Sequence, residues 1–111
     1  MNFETLGRYE LLYFVSADSQ VNVCLESFGS LKELQRRYIR ISALATVTHL
    51  KKFIALKLMQ SMENFVEIDI LCNKELLGKD HNLKFVYMTR WRHQEGPLRL
   101  QYRPRLLKEL S

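Results

Sequence analysis

Cysteine is scarce in this chain, and what there is stands apart. Cys24 and Cys72 are its two thiols, with no CxxC word and no cysteine–histidine pair at metal-ligand spacing. A disulfide framework and a zinc site are therefore not signalled, and reduced structural thiols are the expectation. No apolar run is long enough for a membrane: the cluster YELLYFV at residues 9–15 falls far short of the roughly 20 residues that a membrane helix needs. The basic leader and small-residue cleavage site of a secretory signal are missing too, so neither export nor membrane anchoring is expected. Walker loops, GxSxG, HExxH and dinucleotide fingerprints are all absent. No internal repeat, low-complexity run or linker divides the chain.

What is present has the proportions of one domain. A chain of 111 residues, 47% hydrophobic and 26% charged, is expected to bury roughly two-thirds of its unfolded surface and so to own a core. The net charge of +5 and pI near 9.4 favour an acidic partner, a phosphate backbone or an anionic surface, and say nothing of fold or chemistry.

The periodicity changes along the chain. QVNVCLES alternates from Gln20, with Val21, Val23 and Leu25 on one face and Asn22, Cys24 and Glu26 on the other, as in a strand with one buried side. Gly29 and Ser30 mark a turn, and QRRYIRIS then alternates again with Ile39 and Ile41 opposite Tyr38, Arg40 and Ser42; a hairpin is the simplest connection. Thr46 suits a helix N-cap, and Val47, Leu50, Ile54 and Leu58 recur behind it at helical spacing, with Phe53 widening the stripe; one main helix over about residues 46–60 follows. FVEIDILC predicts a third strand with Val66, Ile68 and Ile70 on one face and Glu67 and Asp69 on the other. A tight turn at Asn73, a very short strand at residues 75–77 and a loop opened by Gly78 come next. KFVYMTRWR is compatible with a helical turn or a strand. PLRLQYR is a strand, because Leu98, Leu100 and Tyr102 alternate with Arg99, Gln101 and Arg103, and Pro97 sits where a strand tolerates it.

Strand, strand, helix, strand, short strand, strand is the order of the β-grasp or ubiquitin-like arrangement, an α+β fold with a mixed four- to five-stranded sheet. Its first and last strands would be parallel neighbours, which places Val21, Val23, Leu25, Leu98 and Leu100 beneath the helix. Trp91 is expected to pack against the sheet with its N–H on a nearby carbonyl. The chain ends LKELS; with no terminal Gly-Gly it is not expected to be a conjugated modifier.

Candidate chemistry is thin. His49, His81 and His93 lack a carboxylate or nucleophile at a suggestive spacing, and His49, one turn past the helix cap, suits a surface or capping role. Glu67 and Asp69, about 7 Å apart on one strand face, need no explanation beyond a polar face. No enzyme, no cofactor and no metal site is expected. The basic stretch TRWRHQEGPLRLQYRPR, residues 89–105, admits a nucleic-acid or nucleosome-binding reading, with Arg90, Arg92, Arg99, Arg103 and Arg105 on phosphates and Trp91 or Tyr102 stacking. The outward face of a central strand has the same pattern and is preferred. A third reading is protein docking: the second strand of a β-grasp sheet lies at an edge, and its backbone invites a partner strand. Arg37, Tyr38, Ile39, Arg40 and Ile41 form that candidate site, Tyr and Arg being common interface anchors. Docking and mere protection of the edge by arginines remain evenly matched on the residues alone.

Longer words carry a resemblance. RRYIRISALATVTHLKKFIALKL, EIDILCNKELLGKDHNLKFVYMTRWR and GPLRLQYRPR, in that order, resemble the C-terminal ubiquitin-like (RAWUL) domain of the Polycomb group RING finger proteins. DILCN, LGKDH and TRWR look most like the branch of the third and fifth human paralogues and an insect counterpart. The resemblance covers about residues 18–105; residues 1–17 are a segment of uncertain role and 106–111 a tail. Departures are a short loop between the first two strands, Ser42 where members often carry Cys, and the missing Cys and His of a RING. The resemblance implies a nuclear docking module of Polycomb repressive complex 1, binding a scaffold or corepressor segment (BCOR-type PUFD, Polyhomeotic-like, or fibrosin/Tay-like) by β-augmentation and so specifying a variant complex. It also implies a Ring/Sce-type ubiquitin ligase as partner of the absent RING, and histone ubiquitylation in chromatin as an activity of the complex. The same exposed edge admits a homodimer.

Overall fold

The computed structural model describes Glu10–Leu11 and residues 19–105. The expectations for the rest of residues 1–17, including most of YELLYFV, and for the tail at 106–111 lie outside the described residues. Glu10–Leu11 is itself a short strand, β1.

The alternating run becomes β2, Gln20–Ser27, with Val23 and Leu25 wholly buried and Val21 packed beside them. β3, Tyr38–Ser42, buries Ile39 and Ile41 on the same side. The two pair antiparallel, Val21 opposite Ile41 and Val23 opposite Ile39, which is the expected hairpin. Gly29 sits in the connection at φ 113°, a conformation that L side chains rarely adopt. Cys24 keeps the face expected for it, opposite Val23 and Leu25, yet is only 1% exposed there. Its strand has neighbours on both sides, and cross-strand partners Tyr38 and Arg99 flank the thiol with longer side chains.

Helix α1, Val47–Met59, starts where Thr46 predicts it. The Thr46 hydroxyl accepts from the His49 N–H, and the Thr46 N–H donates to His49 Nδ1 at 2.9 Å. This is a capping box with histidine in the place of the usual Glu or Gln. Val47, Leu50, Phe53, Ile54 and Ala55 face the sheet; Leu58, expected on the same stripe, is only partly buried near the helix end.

The third predicted strand begins later than its alternation suggests. Residues Met62–Glu67 form a 3₁₀ helix with Ser61 as N-cap, and β4 is only Ile68–Cys72. Val66 is therefore 50% exposed rather than core, and Glu67 does not share a strand face with Asp69. The hydroxyl of Ser61 captures the Glu63 N–H, a local bond that competes with extended backbone. Asn73 and Lys74, both at positive φ (52° and 70°), turn the chain into β5, Glu75–Leu76, as a two-residue hairpin loop should.

The ambiguous segment is helical: α2 is Leu83–Arg90, its N-cap Asn82 accepting from the Phe85 N–H at 2.8 Å. Leu83 and Val86 point inward. The helix start is fixed to the segment before α1 by Leu83 N–H to Ala45 C=O and Lys84 N–H to Ala43 C=O, both 2.9 Å. Trp91 follows, 8% exposed, its indole N–H donating to the Gly96 carbonyl at 3.4 Å. β6, Leu98–Pro104, buries Leu98, Leu100 and Tyr102. It runs parallel to β2, Val23 opposite Leu98, and antiparallel to β4. Sheet order is β1-β3-β2-β6-β4-β5, one strand beyond the expected four or five because β1 joins it. The result is the α+β, β-grasp architecture, with the core between the sheet and α1.

Candidate functional site

Ile39 and Ile41 of the predicted edge have no exposed surface. They anchor β3 to the core, and Tyr38 and Arg40, both half-buried, occupy the opposite face of the sheet. Arg40 Nε donates to Asn22 Oδ1 at 3.0 Å, so its guanidinium leans back over β2. Arg37 is exposed and stands 4.0 Å from Glu33; its carbonyl accepts from the Leu25 N–H at 2.8 Å. That bond and the one from Ala43 N–H to Ser19 C=O bracket the strand. By the alternation of an antiparallel ladder, Arg37, Ile39 and Ile41 turn their backbone groups toward β2, and Tyr38, Arg40 and Ser42 turn theirs away from it.

On that outward side lies β1. Glu10 registers with Ile39 and Leu11 with Arg40, in parallel. The expectation that β3 forms the rim of the sheet is thus modified: the chain's own two-residue strand covers part of it. YELLYFV was the only sequence signal of this, and its apolar character does not specify which strand it joins. A cleft of about 540 Å³ opens beside the entrance to β3, between Leu34, Gln35 and Arg36 just before the strand and Phe53, Lys57 and Leu58 of α1. Lys57 Nζ sits over the Phe53 ring, 5.6 Å from its centroid. The pre-strand loop had no periodic signal, so this wall of the cleft was not foreseen.

The other candidates resolve locally. His49 is the cap partner, and His81 packs on Phe85 with ring centroids 4.5 Å apart. Among the described residues no group of His, Cys, Asp or Glu is arranged to hold a metal, and no helix is long and apolar enough to cross a membrane. Burial raises the Cys24 and Cys72 thiols above their ordinary values, which suppresses the nucleophilic thiolate. The aromatic rings assigned to nucleic-acid stacking are in the core: Trp91 is buried, and Tyr102 is wholly buried with its hydroxyl donating to the Lys32 carbonyl at 2.6 Å. Three of the arginines face carboxylates, Arg90 with Glu75, Arg99 with Glu26 at 3.5 Å and Arg103 with Asp69 at 3.8 Å.

Comparison with known proteins places this geometry. Residues 37–103 match the RAWUL domain, described as RING finger- and WD40-associated ubiquitin-like. Human Polycomb group RING finger protein 3 is 58% identical over 91 residues, which cover 81% of this chain and 37% of the relative. The Caenorhabditis elegans homolog mig-32 is 34% identical over 88 residues, 77% of this chain and 16% of that protein. Human Polycomb group RING finger protein 1 is 32% identical over 95 residues, covering 81% and 36%. The chain thus spans little more than a third, or less, of these relatives. The solved structure of Trypanosoma brucei ATG8 superposes with a TM-score of 0.67 at 14% identity, over 79% of this chain and 75% of that one, a likeness of fold alone. This chain belongs to the RAWUL family of ubiquitin-like domains, in the form carried by the Polycomb group RING finger proteins.

Proposed function

We propose that this chain is a non-enzymatic docking module that receives an extended segment of a partner protein along β3, at Arg37, Tyr38, Ile39, Arg40 and Ile41. The observation that carries the proposal is the mismatch, among the described residues, between β3, five residues long, and β1, which registers with two of them. A longer partner strand would gain more ladder hydrogen bonds than β1 supplies, either in its place or by continuing past it. The roles divide by face. Ile39 and Ile41 hold the strand rigid from below, Tyr38 and Arg40 offer side chains from above, Arg37 stands exposed at the entrance to the strand, and the cleft at Leu34 and Phe53 accepts an apolar side chain of the incoming segment.

Kinship sets the biological frame of the proposal. Relatives named as Polycomb group RING finger proteins support a scaffold or corepressor segment as the partner and a Polycomb repressive assembly in the nucleus as the place of action. Any ubiquitin transfer belongs to the assembly through other domains, not to these residues. The test is a pull-down of scaffold fragments by wild-type chain and by Tyr38→Ala with Arg40→Glu, with circular dichroism as the check of folding. Truncating an anchor and reversing a charge should weaken capture by about tenfold or more. Undiminished capture by the folded double variant sinks the assignment.

A further inference from the structure

A second surface lies at the far end of the sheet from β3. A broad groove of about 1500 Å³ opens where the 3₁₀ helix, the β5 turn and the end of β6 meet the start of α1. Its apolar lining includes Phe65, Val66, Leu76 and Pro104; Val66 is 50% and Leu76 55% exposed, and neither packs in the core cluster. Around them stand the cations Lys51, Lys79, Arg103 and Arg105, against the carboxylates Glu67 and Asp69. Asp69 is buried, and its carboxylate faces the buried Arg103 Nε at 3.8 Å, an ion pair beyond hydrogen-bond distance.

The crowding of positive charge shows at Lys51. Burial lowers its pKa, and Arg105 and Lys79 push in the same direction, against the opposing pull of Asp69. An incoming carboxylate would ease this repulsion. β5 registers only with Leu71 and Cys72, and the Leu77 N–H reaches Ile70. The groove thus takes in Asp69 in the first half of β4 together with Leu76 at the end of β5 and Leu77 just after it.

We infer that this groove binds an acidic peptide segment of a partner protein, carboxylates set against Lys51, Lys79 and Arg105 and an apolar side chain seated on Val66 and Leu76. Charge complementarity selects the acidic segment, and the apolar floor at Val66 and Leu76 disfavours a nucleic-acid backbone, which brings phosphate and no aliphatic side chain. The inference does not rest on docking at β3, since the two surfaces lie on different strands.

The test uses fluorescence anisotropy with the whole chain and three labelled probes: a peptide of leucines flanked by glutamates, its lysine-for-glutamate counterpart, and a single-stranded oligodeoxynucleotide. The glutamate peptide should bind best, more weakly as salt rises, and should shift amide resonances of Val66, Leu76, Lys79 and Arg105. Lys79→Glu with Arg105→Glu, both exposed positions, should lower its affinity by about tenfold, the range of two partly exposed charge contacts. Tyr38→Ala with Arg40→Glu should leave it unchanged, which separates this groove from β3. Equal binding of both peptides, tighter binding of the oligonucleotide, or full affinity in the charge-reversed variant overturns the inference.

Discussion

At the scale of single residues, the buried acids that stay protonated set the pH response. Burial is the first cause of the raised pKa at Cys24, Cys72 and Tyr102. The folded state therefore holds these three protons more tightly than the unfolded chain does. The sign follows: their stabilisation is complete below the ordinary thiol and phenol values of 9.0 and 10.0 and is lost as pH rises through the folded values. Lys51 works the other way, since its lowered pKa makes protonation a cost to the fold that rising pH lifts. Denaturation midpoints should be flat near neutrality and fall through the alkaline range, less steeply in Cys24→Ser. The same burial predicts that a thiol reagent modifies neither cysteine of the folded chain at neutral pH on the timescale of a free thiol, and modifies both in denaturant.

At the scale of elements, caps and turns decided what periodicity left open. KFVYMTRWR is too short for a helical period to stand out, and the Asn82 side chain on the Phe85 N–H resolves it. FVEIDILC alternates throughout, yet the Ser61 cap draws its first half into a 3₁₀ helix. In the β4–β5 turn, Lys74 holds a φ of 70° with a side chain that disfavours it. Lys74→Gly should raise stability by about 0.5–1 kcal/mol, the left-handed cost relieved less the backbone entropy of glycine, read as a shift in urea midpoint at unchanged slope. β1 allows a sharper experiment. Glu10→Pro removes the N–H that the parallel register directs at the Tyr38 carbonyl. If a partner strand takes the place of β1, the variant should bind that partner as tightly as the native chain or more so, because no internal competitor need be displaced. If the partner instead stacks outside β1, binding should fall.

At the scale of the whole molecule, α1, Trp91 and the central strands share one core cluster. Unfolding followed by Trp91 fluorescence and by far-ultraviolet circular dichroism should therefore give coincident transitions. An early fluorescence change would mean that α2 and the Trp91 turn detach as a separate unit. The charge is also organised at this scale. Arg90, Arg99 and Arg103 spend their positive ends on Glu75, Glu26 and Asp69, so the net charge of +5 does not amount to a continuous basic ribbon. Cations outside these pairs gather around the groove at Lys51, Lys79 and Arg105.

Local chemistry was legible in the residues themselves. Alternation at Val23, Leu25, Ile39, Ile41, Leu98 and Leu100, the Thr46 cap and the Asn73 turn depend on near neighbours in the chain, and near neighbours are what a sequence displays. The same residues carried the β-grasp order and the RAWUL resemblance. Tertiary structure alone decided which side of β3 meets the chain's own Glu10–Leu11, that Cys24 is sealed on the outer face between Tyr38 and Arg99, and that Lys51, Lys79 and Arg105, from three separate segments, ring an apolar groove. Each depends on contacts between segments far apart along the chain, which no local period encodes. The strand β3 could thus be read from its pattern, and its neighbour β1 only from the folded sheet.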